Sequence, residues 1–197
     1  MLSPPRRRVR RREARRNLCE TRRNLCASAV KNSFNIIFTS LPFMKDSATV
    51  YTIGHGRHAW RDFLALLHKY EIAFLCDVRS AARSRWVQFN GAVLSENLRE
   101  NGIGYEQLPE CGGKTIAKTE DLERGIERIL ELAAEMKTAI MCSESQPLTK
   151  HKVPRANCHR VGSLSPILKA KGASRIVHIL PNGDSIEFDE STVDSIW

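Results

Sequence analysis

The chain has 197 residues, 42% hydrophobic and 27% charged, an ordinary globular composition that excludes collagen-like, disulfide-dense and wholly disordered classes. No stretch approaches the roughly 20 apolar residues of a membrane span; the longest candidate, Phe34 to Met44, is interrupted by Asn35, Thr39 and Ser40. The net charge of +9 sits at one end: residues 1–31 hold ten arginines and Lys31 against Glu13 and Glu20, so the formally neutral remainder gives no charge argument for a nucleic-acid partner.

That basic end is low in complexity. Arg6 to Arg12 is almost all arginine, and Arg-Arg-Asn-Leu-Cys occurs at 15–19 and again at 22–26. Such a run buries no core, so residues 1–43 are expected to be a disordered tail or to lie outside the native protein, with Met44 opening the folded domain, 44–197. A nucleic-acid arm, a nuclear signal and an Arg-rich transit peptide are the functional alternatives for this segment. No signal peptide is read, and Cys76, Cys111, Cys142 and Cys158 are irregularly spaced. Reduced thiols in a cytoplasmic protein are therefore expected.

From Thr49 onward short apolar runs alternate with amphipathic segments. Val50 to Ile53 reads as a strand ending in Gly54-His55-Gly56, and Trp60, Phe63, Leu64 and Leu67 have the spacing of a one-sided helix. Ala73 to Val78 is a continuous apolar run, as in a strand buried on both faces of a parallel sheet. A helix from about Gln88 to Asn101 stops at Gly102, and Tyr105 to Leu108 is a third strand ended by Pro109. Thr119 is an expected N-cap before Glu120, Asp121 and Glu123, and Leu122, Ile126, Ile129, Leu130 and Ala133 line the buried face of that helix. Thr138 to Met141 and Arg175 to Leu180 are the fourth and fifth strands. Between them Cys158 to Lys171 is read as helical in its second half, with Pro166 kinking the helix or Ser165 capping it. The alternation predicts an α/β fold, a single three-layer domain with a mostly parallel sheet of about five strands flanked by helices.

In such a sheet the ligand crevice lies outside the carboxyl ends of the strands. The segments that follow the strands are His55 between two glycines, Asp77-Val78-Arg79-Ser80 with Arg83-Ser84-Arg85, Cys111-Gly112-Gly113-Lys114, Cys142-Ser143-Glu144, and Cys158-His159-Arg160 before the last helix. Together with Thr52-Ile53-Gly54-His55, Gln88-Phe89-Asn90, Gly102-Ile103, Tyr105 and Leu108, these motifs resemble the domain of unknown function 488 family, in order from about Thr49 to Leu180. The resemblance implies a small α/β domain and carries no settled activity. Three departures stand out: a longer stretch between Cys142 and Cys158, with Lys150, His151, Lys152 and Arg155; a shorter one between Gly113 and Thr119; and Ala81-Ala82 before Arg83, where the family often has proline.

Each residue has a functional and a structural reading. Arg79, Arg83, Arg85 and Arg160 form a candidate anion clamp, against internal pairing with Asp77 and Glu144. His55 is an acid–base candidate or a hydrogen-bonded structural residue beside a close backbone approach. Rhodaneses and Cys-based phosphatases place a thiolate after a central strand, as Cys142 would be, but an adjacent Glu144 would raise its pKa. Cys142, Cys158 and His159, with Glu144 as a fourth group, are a candidate Zn²⁺ set whose wide spacing favours a buried thiol and a bonded histidine, so no cofactor is predicted. Gly112 and Gly113 read as a turn, with Gly113 able to offer its backbone to phosphate. His58 and His68 are expected at the surface and His178 in the core.

The expectation is a polar, Arg-rich crevice that hydrolyses or transfers a group on a phosphate-bearing small molecule, a nucleotide or a nucleic-acid end. Glu144, His55 and Cys142 are the catalytic candidates. Arg79, Arg83, Arg85, Asp77, Tyr105, Gly113, His159 and Arg160 are the binding candidates. The alternatives are a non-catalytic ligand- or partner-binding module and a metal-stabilised interaction domain. No membrane partner is expected, and nothing in the sequence speaks to oligomeric state.

Overall fold

A computed structural model of the chain describes residues 48–113, 119–149 and 156–188. The expected tail 1–43, Lys114 and the basic run from Lys150 to Arg155 lie outside them. In chain order the elements are β1 (Thr49–Gly54), α1 (Trp60–Lys69), β2 (Phe74–Asp77), α2 (Gly91–Glu100), β3 (Gly104–Gln107), α3 (Thr119–Glu135), β4 (Thr138–Cys142), α4 (Ser165–Ala170), β5 (Arg175–Ile179) and β6 (Ser185–Glu187). They form one sheet in the order β3-β2-β4-β1-β5-β6, with all neighbours parallel except the final β5–β6 hairpin. The predicted α/β fold is present, with a sixth strand added. β6 escaped the sequence because three exposed residues at a sheet edge carry no burial pattern.

Residues alternate between the two faces of the sheet. Phe63, Leu66 and Leu67 of α1 and Leu94 and Leu98 of α2 pack with Ile53, Leu75, Ala139 and Met141 on one face. Ile126, Ile129 and Leu132 of α3 and Leu168 of α4 pack with Val50, Cys76, Ile140 and Ile176 on the other. β4 is buried along its whole length, so its side chains feed both cores. Each fully buried leucine or phenylalanine contributes about 1.5–3 kcal/mol relative to exposure.

Two helical predictions are corrected. The expected helix from Gln88 is a 3₁₀ turn, Val87–Phe89, followed by a break at extended Asn90 before α2 begins. Ser165 does not cap a helix: it has helical dihedrals and continues from a π-helical turn, Arg160–Leu164. Pro166, early in α4, has no N–H to give to the preceding turn, and the Ser165 hydroxyl donates instead to the Arg160 carbonyl, 2.9 Å away. Thr119 is the first residue of α3.

The arrangement decides where a crevice can open. β1 and β2 are each followed by a helix on the first face, whereas β4, lying between them, leads to α4 on the opposite face. The chain therefore parts in two directions at the carboxyl end of β4, which is where open α/β sheets bind ligands.

Candidate functional site

β1 and β4 end in register, Gly54 opposite Cys142, and Asp77 lies opposite both Met141 and Gln107. The β1 ladder continues past the strand, His55 N–H donating to the Cys142 carbonyl and Gly56 N–H to that of Ser143, both at 3.0 Å. A Cβ on Gly54 would stand 1.7 Å from the Glu144 carbonyl oxygen. The close approach expected at the glycines is thus made by the chain's own loop after β4.

Asp77 and Arg79 form a buried ion pair at the end of β2. Arg79 Nε donates to Asp77 Oδ1 at 2.7 Å and Nη2 to Oδ2 at 2.5 Å, with exposures of 6% and 0%. Tyr105 from β3 donates its hydroxyl to the same Oδ2 at 2.9 Å, and the Arg79 backbone N–H donates to Oδ1. Arg79 Nη1 lies 3.3 Å from His55 Nε2, and His55 Nδ1 lies 3.1 Å from the Gly56 carbonyl oxygen. This pattern is met by a neutral imidazole that donates from Nδ1 and accepts at Nε2. Burial, and then the Arg79 charge, lower the His55 pKa to about 4. Phe89 stacks on the ring, centroids 4.4 Å apart. Asp77, Arg79, His55 and Tyr105 thus saturate one another, and the Arg79 guanidinium is spent inside the protein.

The loop after β2 is tied down at its base. Asn90 Oδ1 accepts from Ser84 N–H at 2.8 Å, Ala82 carbonyl accepts from Gly91 N–H at 2.8 Å, and Gln88 donates to the His58 carbonyl. Between these anchors Arg83 and Arg85 are exposed, and neither has an acidic partner among the described residues. Two adjoining cavities open here, of about 850 and 590 Å³. Arg83, Ser143 and Glu144 line both; His55, His58 and Arg85 line only the larger, and Arg79, Gly113, Cys142, Cys158 and His159 only the smaller. Tyr105 and Arg160 line neither cavity.

Glu144 forms no ion pair among the described residues, so the structural alternative in which it pairs the arginines is not met there. Its Oε1 accepts from Gln146 N–H at 3.0 Å. Its carbonyl oxygen lies 3.7 Å from Cys142 Sγ and accepts from Arg160 Nη2 at 3.2 Å.

The wide interval from Cys142 to Cys158 closes. Leu148 and Ala156 form an antiparallel bridge, and Asn157 N–H donates to the Pro147 carbonyl at 2.9 Å. Cys142 Sγ and Cys158 Sγ then meet at 3.6 Å. Donation of the Cys142 S–H, followed by the Arg160 charge, lowers the Cys158 pKa against the opposing effect of burial, while the Cys142 thiol is raised. Cys158, read from the sequence only as a metal candidate, is thus the thiol of the pair whose pKa is lowered; the part of this visible in the sequence is the arginine two residues on. His159 turns away, its Nε2 lying 3.2 Å from the Val78 carbonyl oxygen and its ring close to Gly113. Among the described residues no group of three or more His, Cys, Asp or Glu side chains could hold a metal ion, and no helix is long and apolar enough to cross a membrane.

No curated protein and no solved structure matches the chain. Residues 59–121 match the family described as Domain of unknown function DUF488, a shorter span than the resemblance from Thr49 to Leu180. That span holds the Asp77–Arg79 pair, the Arg83–Arg85 loop, the Phe89 that stacks on His55, and Tyr105, and over these residues the chain is similar to the DUF488 family.

Proposed function

We propose that the chain binds a phosphate-bearing small molecule, such as a nucleotide or a nucleic-acid end, over the carboxyl end of β4, and hydrolyses or transfers a group on it. One observation carries the reading: Arg83 and Arg85 present guanidinium groups without acidic partners on an anchored loop beside a cavity that Glu144 also lines. Planar N–H forks suit phosphate oxygens, and a pre-fixed loop loses little freedom on binding. Arg83 and Arg85 hold the anion, Glu144 moves the proton, and Gly113 and His159 line the smaller cavity. Arg79 and Asp77 fix the loop and His55, with Tyr105 bracing Asp77. A neutral His55 serves as a base only when Arg79 releases its Nε2. Cys142, its thiol pKa raised, supplies no nucleophile to this reaction.

A second reading is binding without turnover. It is favoured by the mutual saturation of His55, Arg79 and Asp77, which leaves Glu144 as the main acid–base group. Inorganic phosphate and nucleoside mono- and diphosphates should raise the melting temperature of the wild type by mass action, and Arg83→Ala with Arg85→Ala should abolish the rise. On a phosphoester panel, Glu144→Gln should keep that rise while turnover falls roughly 10²–10⁴-fold. A rise without turnover selects the second reading. No response to any anion refutes both.

A further inference from the structure

Arg160 is the largest fully buried side chain, 0% exposed, and its charge has no carboxylate within ion-pair range among the described residues. Nη2 reaches the Glu144 carbonyl, but Nε and Nη1 have no hydrogen-bond partner among the described residues. A guanidinium cannot shed its proton, and an unpaired buried charge is costly. The neighbouring group able to answer it is a thiol that ionises, and Cys158, two residues away in the chain and more exposed than Cys142, lies with its sulfur 3.6 Å from that of Cys142. Packing alone would ask for two neutral thiols in apolar surroundings. Those are the surroundings of Cys76, also fully buried, whose pKa burial raises. Cys142 and Cys158 both line the 590 Å³ cavity, so a small oxidant reaches them from solvent.

We propose that Cys142 and Cys158 form a redox-active dithiol that reacts with hydroperoxides, Cys158 as the attacking thiolate and Cys142 as the resolving thiol. The Cys158 thiolate attacks one peroxide oxygen; the S–O bond forms as the O–O bond breaks, leaving a sulfenic acid and an alkoxide, or hydroxide from hydrogen peroxide, that takes a proton from water. Cys142 sulfur then attacks the sulfenic sulfur. The S–S bond forms, the S–O bond breaks, and the departing hydroxide carries off the Cys142 proton as water. The two thiols together give up two electrons, and the hydroperoxide is reduced to an alcohol or water. This chemistry is independent of the phosphate reading, because Arg83 and Arg85 take no part in it.

The test uses the full chain, freshly reduced, treated with hydrogen peroxide and digested for mass spectrometry. The expected product is a Cys142–Cys158 linked peptide that dithiothreitol reverses, formed about tenfold faster than oxidation of an unactivated cysteine. In Cys142→Ser a 1,3-diketone should trap sulfenic acid at residue 158, whereas in Cys158→Ser residue 142 should stay unmodified. Arg99→Ala, at an exposed residue of α2 that lines neither cavity, should form the linked peptide at the wild-type rate. The proposal is overturned by absence of the linked peptide from folded wild type, by sulfenic acid at residue 142 instead of 158, or by stoichiometric Zn²⁺ on the pair that blocks oxidation. Should a serine variant unfold, the wild-type linked peptide and its rate still decide.

Discussion

Replacing Arg79 with methionine removes the cation of a buried pair and leaves the anion in place. Asp77 is fully buried and accepts four hydrogen bonds, two from the Arg79 guanidinium, one from its backbone and one from Tyr105. The variant keeps only the last two, so a carboxylate stays behind with half its donors and no counter-charge. Breaking one partner of a buried pair costs about 3–5 kcal/mol. For a domain of this size each kcal/mol shifts melting by about 2–4 °C, so the expected fall is roughly 6–20 °C. Adding Asp77→Asn removes the stranded charge while the amide can still accept from Tyr105. The double variant should therefore be at least about 2 kcal/mol more stable than the two single losses would sum to. Urea unfolding followed by circular dichroism at pH 7.5 measures the wild type, both single variants and the double variant. A single-variant loss below about 1 kcal/mol, the range of an exposed ion pair, or an additive double variant, would refute the reasoning.

Gly54→Ala should cost about 3 kcal/mol or more, because the new Cβ meets the Glu144 carbonyl oxygen rather than a movable side chain; chemical denaturation checks it. His55 and His178, both buried with pKa values lowered to about 4 chiefly by burial, bind protons more readily when unfolded. Their contribution is therefore retained above the unfolded value near 6.5 and lost as pH falls toward 4, by up to about 1.4 kcal/mol per pH unit for each ring, visible as a fall in urea midpoint over that window. Arg160→Met should raise the Cys158 pKa and move the midpoint of its iodoacetamide alkylation profile to higher pH, and an unchanged midpoint would mean that the Arg160 charge does not hold the thiolate.

The elements of the sheet were legible in the sequence wherever burial imposes a period. α1 and α3 repeat their apolar residues every three or four positions, and β2 and β4, covered on both faces, are continuous apolar runs. β6 has no such imprint, and the break at Asn90 depends on that residue holding Ser84 N–H rather than on local propensity. Asp77, Arg79, His55 and Tyr105 could be picked out as polar residues at strand ends. That they spend themselves on one another, leaving Arg83 and Arg85 outward, follows from the order β3-β2-β4-β1, which sets the ends of three strands side by side. The meeting of Cys142 with Cys158 is likewise tertiary. Fifteen intervening positions say nothing about distance until Leu148 and Ala156 form their bridge and the π turn places Arg160 near the pair. Hydrophobic periodicity is a local property and can be read one element at a time; which polar groups share a low-dielectric space depends on strand order, and only the folded chain has one.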